Sequence, residues 1–157
     1  MVVLVGNNPL CVQMEERIHV FSLRKKVLFA FQDSVGICLE RNVKVLHMGK
    51  IGMTPGYVHQ LPDDLDQSML CAAFGGSAYK LSWGDDMQGY LYTHAAFAMP
   101  VVYLCYRIGC DLRKAHSSDI KCAVEDAREG FPLIEKAGMK IGRRKIRNMI
   151  MASRGRY

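Results

Sequence analysis

The hydrophobic and polar positions of this chain follow one rhythm up to about Gly84 and another after it. Val2-Val3-Leu4-Val5 is a continuous apolar run, the pattern of a parallel strand buried on both faces. It stops at Gly6-Asn7-Asn8-Pro9, a cluster of turn formers. Val12 to Ile18 reads as a short helix and Val27 to Phe31 as a second strand. Val43 to His47 alternates polar with apolar, as a strand with one wet face does. Gly49 to Gly56 is a glycine-punctuated connection with room for another short strand. It lacks the order of a phosphate-binding loop. Leu65 to Phe74 reads as a helix with Leu65, Met69, Ala72 and Ala73 on one face, ended by Gly75-Gly76. Ala78 to Trp83 alternates as a strand.

Beyond Trp83 the period becomes helical. Helices are expected over Asp86 to Ile108 and Ser118 to Ala137. In the second, Ile120, Val124, Ala127, Phe131 and Ile134 recur at spacings of four and three. Ser117 or Ser118 is placed to cap its start and Gly138 to end it. Pro100 and Pro132 lie inside these helices and are expected to kink them. The fold class is therefore α/β followed by all-α, with domains at 1–84 and 85–157.

The segment Asp85 to Pro100 opens on two acids, suited to a helix N-terminus. From Ala95 to Tyr106 it is apolar on every face, which predicts a central helix buried all round. Polar groups on such a helix must be paired or used. Tyr92, Thr93 and His94 are therefore the places to look for chemistry.

Composition narrows the setting. At 157 residues, half of them hydrophobic, the chain is long enough to bury a core. Its longest apolar run is 12 residues, too short to span a bilayer, and its N-terminus does not read as a signal peptide. A cytoplasmic protein that does not engage a membrane is expected. The six cysteines then read as free thiols. Cys105, Cys110 and Cys122 with His116 lack metal-site spacing, so no metal is expected. The net charge of +6 comes from the tail: Lys140, Arg143, Arg144, Lys145, Arg147, Arg154 and Arg156, with no acid after Lys140. The preceding residues carry 14 bases and 15 acids. With only Tyr157 as an aromatic companion, the tail reads as a solvated terminus and nucleic acid is not expected as a partner.

The residues Asp86 to Pro100 resemble the start of the C-terminal helical domain of the ketopantoate reductase family, one branch of which carries Asp-x-x-x-Trp-x-Lys-x-His, then small and apolar residues and Pro. Gly109-Cys110-Asp111-Leu112, Ala127-Arg128-Glu129-Gly130-Phe131 and Ala137-Gly138 are similar to later parts of that branch. Val2 to Asn8 resembles its strand leading to an Asn near the nicotinamide. Gly49-Lys50-Ile51-Gly52 resembles the glycine-containing end of a late strand. The resemblance runs over roughly residues 2–141.

It implies a partial Rossmann-type sheet and a helical domain of the 6-phosphogluconate-dehydrogenase-like kind. It also implies an oxidoreductase that uses NADPH to reduce a 2-keto acid such as 2-dehydropantoate, as in pantothenate biosynthesis. Asn7 and Asn8 would bind the cofactor, and Tyr92 and His94 would be catalytic. Tyr92 stands where the family has its proton-donating lysine; a tyrosine in that role needs a cation nearby, for which Lys50, Lys80 and Arg107 are the candidates. No Gly-x-Gly-x-x-Gly occurs in the chain. The chain reads as the later part of such a sheet, with its nucleotide-binding half to be supplied by another polypeptide. Val2 to Val5 would then be an exposed apolar edge, and a homo-oligomer or a second chain completing the sheet is expected. The alternative is a non-catalytic, dimerising module of the same ancestry.

Overall fold

In a computed structural model the first strand, β1 (Val2–Val5), lies at one edge of a four-stranded sheet ordered β1-β2-β5-β6. The structure describes residues 1–46, 49–142 and 144–152. His47 and the tail residues Arg143, Arg154, Arg156 and Tyr157 lie outside them. The chain divides into two compact units, Met1–Met87 and Gln88–Tyr157. The first is mixed α/β, and the described elements of the second are all helical.

In the first unit, α1 (Cys11–Glu16) and α2 (Phe21–Arg24) carry the chain from β1 to β2 (Val27–Gln32), which pairs with it in parallel, Val2 opposite Val27. Next comes a hairpin of β3 (Val35–Cys38) and β4 (Val43–Leu46), which form a two-stranded sheet of their own. β5 (Ile51–Gly56) returns antiparallel to β2, with Phe29 opposite Gly56. After α3 (Asp64–Phe74), β6 (Tyr79–Leu81) pairs with β5 in parallel. The sheet is therefore mixed.

The core follows from that order. β2 is interior, and its Val27, Leu28, Phe29 and Ala30 are all buried. Leu28 packs with Tyr57 and Leu70, and Val3, Phe74, Leu81 and Trp83 close around them. β1 is not buried on both faces: Val2 and Val5 are half exposed, because β2 covers one edge only. On β4 all four residues are exposed, so its alternation marks no inner face. Helix α3 also turns a different side inward. Its buried residue is Leu70, while Leu65, Met69, Ala72 and Ala73 are exposed. Two polar anchors set this rotation: Asp63 accepts the N–H of Asp66 at 2.8 Å, and Asp66 accepts the Tyr57 hydroxyl at 2.6 Å. Asp66, Leu70 and Phe74 recur every fourth residue and form the inward stripe. β5 ends in a close approach, where Gly84 donates its N–H to the Pro55 carbonyl at 3.0 Å.

The second unit is built on α4 (Met87–Arg107) and α5 (Ser117–Lys136), with a short 3₁₀ turn at Leu112–Lys114 and a last helix, α6 (Arg144–Ala152). Both long helices continue through their prolines. Each ends in the same way. Gly109 and Gly138 take left-handed backbone at φ +63° and +76°. The next N–H in each case reaches back to the last turn, Cys110 to the Cys105 carbonyl at 2.7 Å and Met139 to Ile134 at 3.2 Å. The start of α5 differs from the expected serine cap. His116 is the cap residue, and Asp119 accepts the His116 backbone N–H at 3.1 Å. Ala127 and Phe131 on α5 pack with Ile150 on α6, joined by Ala96 and Phe97 of α4. The period read from α5 is therefore its packing face; Ile120, at its first turn, is exposed.

Helix α4 is not buried all round. Leu91 and Thr93 are buried, but Met99, Val102, Tyr103 and Tyr106 form a continuous exposed stripe, with Tyr103 66% and Tyr106 76% accessible. No Asp, Glu, Lys or Arg occurs from Gln88 to Tyr106, so composition alone does not separate the covered side from the open one.

Candidate functional site

Asn7 and Asn8 belong to the first unit, and Tyr92 and His94 to the second. Asn7 is exposed just past the carboxyl end of β1, the end of a parallel strand at which open α/β sheets bind ligands. Asn8 is used locally. Its Oδ1 accepts the Leu10 N–H at 3.2 Å, and its side-chain amide donates to the Met14 sulfur. This is the turn that leads into α1.

On α4 the three polar residues separate by role. Thr93 is buried and fully committed: its hydroxyl donates to the Gly89 carbonyl at 2.6 Å and accepts the Gly142 N–H at 3.1 Å. It ties α4 to the segment before α6, where Gly142 is packed so closely on Tyr90 that a Cβ would come within 2.7 Å of the Tyr90 Cα. Tyr92 is half-buried, and its hydroxyl has no hydrogen-bond partner among the described residues. His94 is half-buried and engaged. Tyr92 and His94 are two residues apart on one helix, so their side chains leave it in widely different directions. The helix does not aim both at one reacting atom.

Of the candidate cations, Arg107 is ruled out on two counts. It lies fifteen residues along α4 from Tyr92, a rise of about 22 Å. Its guanidinium is also spent on the buried Asp119 carboxylate, 3.1 Å away. Among the described residues no group of three or more His, Cys, Asp or Glu is placed to hold a metal, and no helix is long and apolar enough to cross a membrane. All six cysteines are free thiols. Burial raises the Cys11 thiol to about 11, whereas Cys38, Cys71, Cys110 and Cys122 are exposed.

The first unit holds cavities that no sequence motif announces. One, of about 510 Å³, is lined by Arg24, Lys25, Tyr57, His59 and Asp63 among others. Its polar groups are largely taken. Arg24 donates to the carbonyls of Ile18 and Glu16 at 2.6 and 2.9 Å, and Lys25 sits 4.7 Å over the Phe21 ring. The Tyr57 hydroxyl serves Asp66, and burial together with that bond raises its pKa. The group is chiefly a clasp for α1, α2 and α3. Its only sequence signal is the scatter of Arg24-Lys25 and His59 to Asp63, which becomes a cluster only once β5 runs antiparallel to β2.

No protein-family model matches the chain, and no curated protein is significantly similar to it.

Proposed function

We propose that the chain is a reductase-type module of ketopantoate reductase character, acting on a 2-keto acid with NADPH. The observation that carries this reading is Asn7, an exposed amide at the carboxyl end of a parallel strand. An amide there suits the carboxamide of a nicotinamide ring, since each group both donates and accepts. The rest of the nucleotide finds no cradle at this turn. Pro9 has no N–H, and the Leu10 N–H is taken by Asn8. The phosphates must therefore be held by residues other than this turn.

NADPH, when bound, supplies the hydride. The chain's own part is the proton. Tyr92, with an uncommitted hydroxyl, is the donor for the oxygen that gains charge as hydride arrives. His94 and Thr93 are assigned to support, Thr93 because both its hydrogen bonds are structural. The test is a titration of the full chain with NADPH, followed by 2-dehydropantoate turnover read as NADPH absorbance. Saturable binding lost in Asn7→Ala, with turnover lost in Tyr92→Phe but cofactor binding kept, is the expected result. No binding at millimolar NADPH would overturn it.

A second reading, a non-catalytic module that associates through its helical part, is favoured by the exposed stripe of Met99, Val102, Tyr103 and Tyr106. It predicts a concentration-dependent dimer in sedimentation that Tyr103→Glu dissociates. A monomer at all concentrations would remove it.

A further inference from the structure

A second cavity of the first unit, about 450 Å³, lies beside β6 and the C-terminal end of α3. Its walls are Phe74, Tyr79, Leu81 and Trp83, with Cys71 and Lys50 beside them. We infer that it is a binding site for a small planar aromatic carboxylate, with the ring held among Phe74, Tyr79 and Trp83 and the carboxylate paired with Lys50.

Three observations carry this. The walls are preformed. Phe74 and Tyr79 meet edge to face with centroids 5.3 Å apart, and the Tyr79 hydroxyl is tied to Gln32 at 2.9 Å. Phe74, Leu81 and Trp83 also pack on the Leu28, Tyr57 and Leu70 core, so the ring surfaces cannot collapse into the space. The charge is of one sign: among the described residues Lys50 is the single charged residue lining the cavity, and no carboxylate does. Lys50 forms no ion pair among the described residues, so its ammonium is available to a ligand. The proportions are also right. The volume falls within the usual range for small-molecule sites, and aromatic walls with one convergent charge are their common composition. The 510 Å³ cavity is of similar size but differs in its charge, with both signs on its lining and the Arg24 guanidinium already bonded to backbone carbonyls. Gly75 and Gly76 complete the lining, and Gly76 turns at φ +76°.

The inference uses none of the residues to which the proposed function assigns a role, and its readouts involve no NADPH. Trp83 is the chain's one tryptophan and stands in the wall, so emission from the whole protein reports this site. The experiment titrates the full chain with benzoate, using benzyl alcohol as the uncharged counterpart and acetate as the counterpart without a ring. Benzoate should change Trp83 emission saturably and slow alkylation of Cys71, read by mass spectrometry. Benzyl alcohol should bind at least about tenfold more weakly, and acetate should do neither. Lys50→Gln, a surface change that leaves the fold intact, should remove the preference for benzoate over benzyl alcohol. A linear, unsaturable response to benzoate would overturn the inference. So would equal binding of benzoate by Lys50→Gln and the parent, or unchanged Cys71 reactivity at saturating benzoate.

Discussion

Thr93→Val separates structure from chemistry on α4. Valine nearly matches threonine in shape, so packing at this fully buried position is preserved while the oxygen is lost. The bond to the Gly89 carbonyl matters little, since that carbonyl keeps its helical partner. The bond from Gly142 matters more. Its N–H, now 3.1 Å from the Thr93 oxygen, would face a methyl group. An unpaired buried donor costs about 1–3 kcal/mol, and with Gly142 half-buried the lower part of that range applies, about 1–2 kcal/mol. The matching change in local opening is roughly 5- to 30-fold. Two assays read it: urea unfolding for the total, and hydrogen exchange at the Gly142 amide for its location. Thr93→Ser is the control. It keeps the oxygen and loses a buried methyl, about 1 kcal/mol, with Gly142 protection unchanged once global stability is allowed for. If Thr93→Val leaves Gly142 exchange at the parent rate, or if Thr93→Ser accelerates it equally, the tie between α4 and the segment before α6 is not what holds this residue in place.

Gly56→Ala is expected to cost about 3 kcal/mol or more, because its Cβ would stand 2.3 Å from the Gly84 carbonyl oxygen and 2.9 Å from Met87 Cγ. Gly6→Ala, which meets nothing within 4 Å, should be nearly neutral in the same thermal melts; equal losses would refute the close approach. Alkaline stability follows from Cys11. Its thiol is raised from 9.0 to about 11, so between those values the unfolded chain has released a proton that the folded chain still holds. Stability therefore falls as pH rises across that window, with a slope approaching about 1.4 kcal/mol per pH unit. Cys11→Ala should flatten the slope there, and an unchanged slope would assign it elsewhere. Burial should also leave Cys11 the last of the six thiols to be alkylated in the native protein.

Much of the order of elements was legible in the sequence, because the signals involved are local. Val27 to Phe31 is a continuous apolar run and forms the interior strand β2, and Ala127, Phe131 and Ile134 keep one face of α5. What was not legible depends on non-local neighbours. The inward face of α3 is not legible because Leu65 and Met69 are as apolar as Leu70, and it takes the Asp63 cap and the Tyr57–Asp66 bond, made across a turn, to set Leu70 inward. The open side of α4 is not legible either, because an uncharged run carries no mark of which side finds a partner. The site was less legible still. Asn8 and Thr93 look alike in sequence to residues awaiting a substrate, yet each spends its hydrogen bonds at home. The aromatic cavity draws Lys50, Phe74 and Trp83 together only through the β5–β6 pairing.

The β3–β4 hairpin sits between two strands that are themselves neighbours. β2 and β5 pair directly, and their ladder is carried one step further where the Asp33 N–H meets the Gly52 carbonyl at 2.8 Å. Between them, β3 and β4 pair only with each other and take no place in the four-stranded sheet. The hairpin from β3 to β4 is an ornament on a connection that would close without it, so the hairpin can be shortened, lengthened or replaced by a reporter peptide with the order of the four-stranded sheet unchanged. It gives an engineer a handle on the first unit, and it gives natural variation a place to add length without rewriting the core.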